Sequence, residues 1–144
     1  MQYISYSVQN TQLFAKEQAL KLMRRTEGSP LVIALEGELG AGKTTFIQGF
    51  CKGLKIKAKI KSPTFVLMKK YEIPKTEKSL YHFDCYRLRD YKDLISLGIK
   101  EIMGKPENIV LIEWAKRVKE ILPLKHIKIH IDHISQNERK IKIT

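Results

Sequence analysis

The sequence predicts an α/β fold with a mixed central sheet, parallel core strands, antiparallel hairpins and helices on both faces. Three observations carry this expectation. The apolar runs Leu31–Leu35 and Asn108–Trp114 have the composition of strands buried on both faces, as parallel strands covered by helices are. The first run passes through a glycine-rich turn directly into a helix-forming stretch that starts at Lys43. Near the end of the chain, Ile127, Ile129 and Ile131 alternate with polar residues, a turn falls at Ser135-Gln136-Asn137, and Arg139–Thr144 returns, which is a hairpin pattern.

The turn specifies the kind of α/β domain. Gly37-Glu38-Leu39-Gly40-Ala41-Gly42-Lys43-Thr44 fits G-x-x-x-x-G-K-[ST], the phosphate-binding loop, so residues 1–144 are expected to form a single P-loop NTPase-type domain. A di- or triphosphate must be wrapped by backbone N–H groups, and glycines at 37, 40 and 42 let the chain turn with no Cβ in the way. The helix start aims free amides and the positive dipole end at the anion. Lys43 then reaches the β- and γ-phosphates, and the Thr44 hydroxyl is placed to ligate Mg²⁺. Thr45 closes the binding stretch, with packing or capping as its simpler role. The plain alternative, a tight strand-to-helix connection, leaves the lysine and hydroxyl unexplained.

The other elements follow in order. Ile4, Tyr6 and Val8 alternate with polar residues as an opening strand, and Asn10 or Thr11 is placed to cap a helix running to Arg25. Gly28-Ser29-Pro30 stops it. After the loop helix, Lys55, Lys57, Lys59 and Lys61 alternate with Ile56, Ala58, Ile60 and Ser62. This is an exposed strand or extended segment with a lysine face, either an edge protected from aggregation or a track for phosphates. Pro63–Tyr71 and Leu80–Leu88 read as strands of an antiparallel hairpin across a polar turn at 73–79. Short helical turns are expected at Asp93–Leu97 and Glu101–Met103, and a short helix at Ala115–Leu122, stopped by Pro123.

Size and charge bound the possibilities. A chain of 144 residues holds one core but not a nucleotide domain plus a substrate domain. No run of eighteen apolar residues occurs and the first residues lack a signal-peptide pattern, so a cytoplasmic protein with no membrane association is expected. Cys51 and Cys85 stand in apolar surroundings without C-x-x-C spacing and read as buried thiols. The formal net charge of +12 favours polyanionic partners such as RNA or an acidic protein surface, or else reflects a lysine-rich proteome.

Turnover of a bound nucleotide also needs carboxylates near the metal. Glu113 ends an apolar strand expected beside the loop strand, where an acid is delivered to Mg²⁺. Asp84, in His82-Phe83-Asp84-Cys85-Tyr86-Arg87, is the second candidate, with a salt bridge to Arg87 as its structural alternative. The expected catalytic set is therefore Lys43, Asp84 and Glu113, with Thr44, Asp84 and Glu113 toward the metal. Ser62-Pro63-Thr64 offers hydroxyls fixed by proline, suited to sensing a γ-phosphate or simply to starting a strand. Trp114 reads as core packing and His82 as a hydrogen-bonded structural residue. No N/T-K-x-D guanine motif occurs, so ATP is favoured over GTP.

Taken together, GELGAGKTTF, SPTFVL at 62–67, YHFDCYRL at 81–88, LGI at 97–99 and LIEWAKR at 111–117 resemble the bacterial TsaE family over essentially the whole chain. The resemblance implies a small P-loop ATPase needed for threonylcarbamoyl modification of adenosine in ANN-decoding tRNAs, acting with the TsaB–TsaD pair. It further implies that Lys43 and Thr44 hold phosphate and Mg²⁺, that Glu113 is the metal-linked acid and Asp84 the acid of the HFD motif, and that Thr64 is the threonine of a switch-like segment. Cys85 and Lys116 depart from the family pattern without touching that chemistry. Two other classes stay open at this level: a small P-loop kinase, and an RNA-binding module with a vestigial nucleotide site. Neither an acceptor-binding insertion nor an aromatic RNA platform is visible to support them.

Overall fold

The computed structural model describes residues 1–63 and 66–144, so the expectations placed on Thr64 lie outside the described residues. A seven-stranded mixed sheet is built from β1 (Gln2–Ser5), β2 (Leu31–Glu36), β3 (Met68–Glu72), β4 (Ser79–Asp84), β5 (Asn108–Glu113), β6 (Ile127–His133) and β7 (Arg139–Ile143). Their spatial order is β1-β7-β6-β2-β5-β4-β3. The four central strands, β6, β2, β5 and β4, run parallel, and the antiparallel pairs lie toward the edges.

β2 shows why the central strands are apolar throughout. Leu31, Ile33 and Leu35 point into the core covered by α1 (Val8–Arg25) and α2 (Lys43–Gly53). Val32 and Ala34 point into the opposite core. That second core is covered by α3 (Lys92–Ser96), α4 (Ile99–Gly104) and the 3-10 helix Ala115–Ile121. A strand covered on both faces has no position for a polar side chain until it leaves the sheet. In β2 and β5 polar residues are thereby confined to the strand ends.

α2 must hold the glycine-rich loop in place, and α1 fixes α2. Phe46, Ile47 and Phe50 of α2 are fully buried against Phe14, Ala15, Ala19 and Leu22 of α1 and the sheet. Truncating such a phenylalanine typically costs about 3–5 kcal/mol. The helices approach so closely at Gly49 that a Cβ there would lie 2.6 Å from the Cα of Gln12. Alanine at this position would force the helices apart.

Several boundaries differ from the sequence expectation. β1 ends at Ser5 and Val8 already belongs to α1, because Ser7 rather than Asn10 or Thr11 is the N-cap. Its hydroxyl accepts the Asn10 amide at 2.9 Å, while the Asn10 side chain accepts the Tyr6 amide at 3.0 Å. This reciprocal pairing outweighs the short apolar alternation. The lysine segment 55–61 joins no ladder; Ile56 and Ile60 anchor it to the core and the lysines face outward. Strand β3 begins at Met68, five residues after Pro63, and β4 stops at Asp84 rather than Leu88. The Asp84 side chain accepts the Tyr86 amide at 3.0 Å and turns the chain out of the sheet. The hairpin of β3 and β4, the β5 strand and the closing hairpin of β6 and β7 form as expected.

Candidate active site

The register of the parallel strands gathers acids at one end of the sheet. Glu113 on β5 stands opposite Leu35 on β2 and opposite Asp84 on β4, and Glu36 is the last residue of β2. All three acids are almost wholly buried, as is Lys43, the first residue of α2. Three carboxylates clustered at the ends of adjacent strands need a cation nearby, since isolated buried charges are very costly.

Residues 37–42 form the turn between β2 and α2. Gly37 has φ +150° and its missing Cβ would fall 2.5 Å from the Ile131 carbonyl oxygen of β6. Only glycine fits that crossing. Among the described residues no side chain caps the start of α2. Its first amides open onto a cavity of about 410 Å³ lined by the loop, Lys43, Thr44, Thr45, Ser62, Asp84, Tyr86, Glu113, Trp114 and Arg139. Uncapped amides at the N-terminus of an eleven-residue helix attract anions.

The Lys43 amine is folded back over the loop. It donates to the carbonyls of Gly37 at 2.5 Å and Glu38 at 3.0 Å, and lies 4.3 Å from the centre of the Trp114 ring. Burial pulls its pKa below the ordinary lysine value, while Glu113, Asp84 and Glu36 oppose that shift. The neighbouring acids thus help keep the amine charged where solvent does not. A phosphate entering the cavity would meet this ammonium, the helix amides and the hydroxyls of Thr44 and Thr45.

Each acid is held differently. The Nε2–H of His82 donates to Glu113 Oε2 at 2.7 Å, since the carboxylate can only accept, and this fixes the tautomer. His82 is fully buried and its Nδ1 has no hydrogen-bond partner among the described residues. Asp84 accepts the Ser62 hydroxyl and the Tyr86 amide through different oxygens. Glu36 accepts the Lys116 amide at 2.5 Å and so caps the 3-10 helix. Glu36 is therefore a structural acid beside two that border the cavity.

Trp114 packs against the second core, as expected, and also faces the cavity. It is half-buried, lines the cavity, and stacks on Tyr86 with ring centres 5.0 Å apart. Its φ of +59° is left-handed backbone, which costs a non-glycine residue about 1–2 kcal/mol. Its backbone N–H donates to Leu35 O at 3.1 Å and holds it there. Arg139 was invisible to sequence reasoning, because it reaches the loop from 99 positions away. Its guanidinium donates to the carbonyls of Ser135 at 2.8 Å and Glu138 at 3.0 Å and stands beside Gly42. Tyr86 was also passed over, although its place two residues after Asp84 was a usable signal.

Thr44, Asp84 and Glu113 present hard oxygen donors to one cavity, the chemistry that suits Mg²⁺. Among the described residues no group of three His, Cys, Asp or Glu side chains is arranged to hold a metal by itself. A metal here would need water and phosphate oxygens to complete its shell, which is the ordinary habit of Mg²⁺ beside a nucleotide.

Residues 6–141 match the family model described as "Threonylcarbamoyl adenosine biosynthesis protein TsaE". Relatives named "tRNA threonylcarbamoyladenosine biosynthesis protein TsaE" include that of Haemophilus influenzae, 38% identical over 83% of this chain and 74% of its own length. The Bacillus subtilis protein of that name is 40% identical over 78% of this chain and 68% of its own. The Rickettsia bellii protein is 33% identical over 99% and 94%. Among solved structures, the crystal structure of Bacillus subtilis YdiB superposes with a TM-score of 0.74 and 30% identity, covering 99% of this chain and 83% of its own.

Proposed function

Because the chain belongs to the TsaE family of threonylcarbamoyl adenosine biosynthesis proteins, with a role in making that tRNA modification, we propose that it binds and hydrolyses ATP in the cavity at the α2 N-terminus. One observation carries this reading: Lys43, Thr44, Asp84 and Glu113 line a single cavity under an uncapped helix start. The loop from Gly37 to Gly42 would wrap the phosphates with its amides. Lys43 would release the loop carbonyls and turn its donors to the β- and γ-phosphate oxygens.

Mg²⁺, when bound, neutralises charge on the phosphate oxygens that develop negative charge during transfer. Thr44 and Glu113 are the residues proposed to hold it, directly or through water. His82 orients the Glu113 carboxylate by its Nε2–H, which fixes where that acid can act. Asp84, whose oxygens are engaged by Ser62 and Tyr86, is better placed to position water or to sense nucleotide state through Ser62. The Trp114 ring lies against the amine, and Tyr86 packs on that ring.

In this reading residues 1–144 work as one nucleotide-binding unit in the cytoplasm, and the nucleotide cycle serves a TsaB–TsaD pair that carries out transfer to tRNA. Among the described residues no helix is long and apolar enough to cross a membrane. The test is ATP turnover by the pure protein, with and without TsaB–TsaD and unmodified tRNA, beside a screen for phosphorylated metabolites. Weak turnover that changes with the partners is expected. Stoichiometric phosphorylation of a small molecule would replace this reading with a kinase.

A further inference from the structure

The 33 residues from Leu39 to Tyr71 hold eight lysines, no arginine and no acid. Within them, Lys52, Lys55, Lys57 and Lys59, with Gln12 and Gln48, line a second cavity of about 560 Å³ beside the C-terminal end of α2. It shares no lining residue with the nucleotide cavity. Its floor is fixed: Ile56 and Ile60 are buried, and the Gln48 amide donates to Ile60 O at 3.4 Å and accepts the Gln12 amide at 3.2 Å. The four lysines are exposed on this anchored segment. Among the described residues none of these four lysines forms a salt bridge, and the nearest acids in sequence, Glu38 and Glu72, lie beyond both ends of the run.

We propose that this groove binds the phosphate backbone of tRNA directly. The residue types decide between RNA and an acidic protein. Protein interfaces are enriched in arginine and aromatics and depleted in lysine, whereas this groove offers lysine and amide groups with no aromatic and no arginine. Lysine acts on phosphate as a point charge and needs no planar fork, so contacts of this kind position a backbone without reading bases. The established pathway of the family supplies a tRNA as the polyanion at hand. The inference goes beyond the ATPase reading and does not depend on it.

The test measures anisotropy of a labelled, unmodified tRNA transcript titrated with the full chain over a series of salt concentrations. Replacing Lys52, Lys55, Lys57 and Lys59 by Gln should weaken binding about tenfold or more and reduce the salt slope by about three. A control replaces Lys92, Lys100, Lys105 and Lys119, exposed on the helical layer of the opposite sheet face, and should change affinity by no more than about twofold. If the first variant folds poorly, as judged by its melting curve, Lys57→Gln/Lys59→Gln should still lower the slope by between about one and two. Equal losses in both fourfold variants would overturn the proposal, as would tRNA binding too weak to detect in low salt. Retained tRNA binding with lost association to TsaB–TsaD would overturn it in favour of an acidic protein partner.

Discussion

The two ends of the parallel sheet use buried polar residues for opposite purposes. At the amino ends of β4 and β5, Ser79 donates to Glu72 at 3.1 Å and Asn108 donates to Ile102 O at 2.9 Å. Each of these bonds ties a strand start to a neighbouring element. At the carboxyl ends, Glu36, Asp84 and Glu113 stand together with Lys43, and all four are buried. Neutral amide and hydroxyl groups are satisfied by one good bond each. Clustered charges are not, and only a ligand with its own charges and donors balances such a set fully. The comparison teaches that burial alone does not mark a site; the kind of polar group buried does. It also follows the general rule that open α/β sheets bind ligands beyond the carboxyl ends of their strands.

Substitutions at each end can break or sharpen this contrast. The largest effect is expected at Glu113. Glu113→Gln should keep ATP binding yet lower turnover by roughly a hundredfold or more, read from steady-state phosphate release. Normal hydrolysis would remove Glu113 from the chemistry. Asp84→Asn should come next, reducing tRNA modification in a reconstituted TsaB–TsaD reaction at least as much as it reduces ATP affinity. If it instead abolishes Mg²⁺-dependent binding while Glu113→Gln turns over normally, the two acids have exchanged roles.

At the opposite end, Asn108→Ala should cost about 1–2 kcal/mol of stability in denaturant melts and leave ATP affinity unchanged. A loss of nucleotide binding there would dissolve the distinction between the ends. The smallest effect concerns the thiols behind the site. Burial pushes Cys51 and Cys85 up to about 12 from an ordinary 9.0. Their folded pKa values are raised, so their contribution to stability is complete below pH 9 and is lost as pH rises toward 12. Both should resist a thiol reagent at pH 8 until denaturant is added. Rapid labelling of the native chain would show that the core holding the labelled thiol is open to solvent.

Much of this was legible in residues alone. The α/β class follows from the double-sided apolar runs of β2 and β5 with a helix start between them, and the mixed sheet from the hairpin patterns. Gly37–Thr44 and Glu113 could be placed at one strand end by motif and period. The start of α1 was misread because the alternation of Ile4, Tyr6 and Val8 is too short to compete with the cap at Ser7. The lysine segment was compatible with a strand by alternation, yet pairing is a property of neighbours that sequence does not display. The cavity positions of Trp114 and Arg139 were hidden for a related reason. One depends on a left-handed backbone turn after β5, the other on a hairpin that returns to the loop from the far end of the chain. Long-range proximity of this kind leaves no local signal.

Calorimetric titration with ATP, in the presence and absence of Mg²⁺, tests the central claim most directly. The native chain should bind ATP more tightly with Mg²⁺. Lys43→Ala should lose most of that affinity through the missing β/γ-phosphate contact, and Thr44→Ala should lose the Mg²⁺-dependent part while melting like the native protein. Unchanged ATP affinity in Mg²⁺ for both variants would contradict the account.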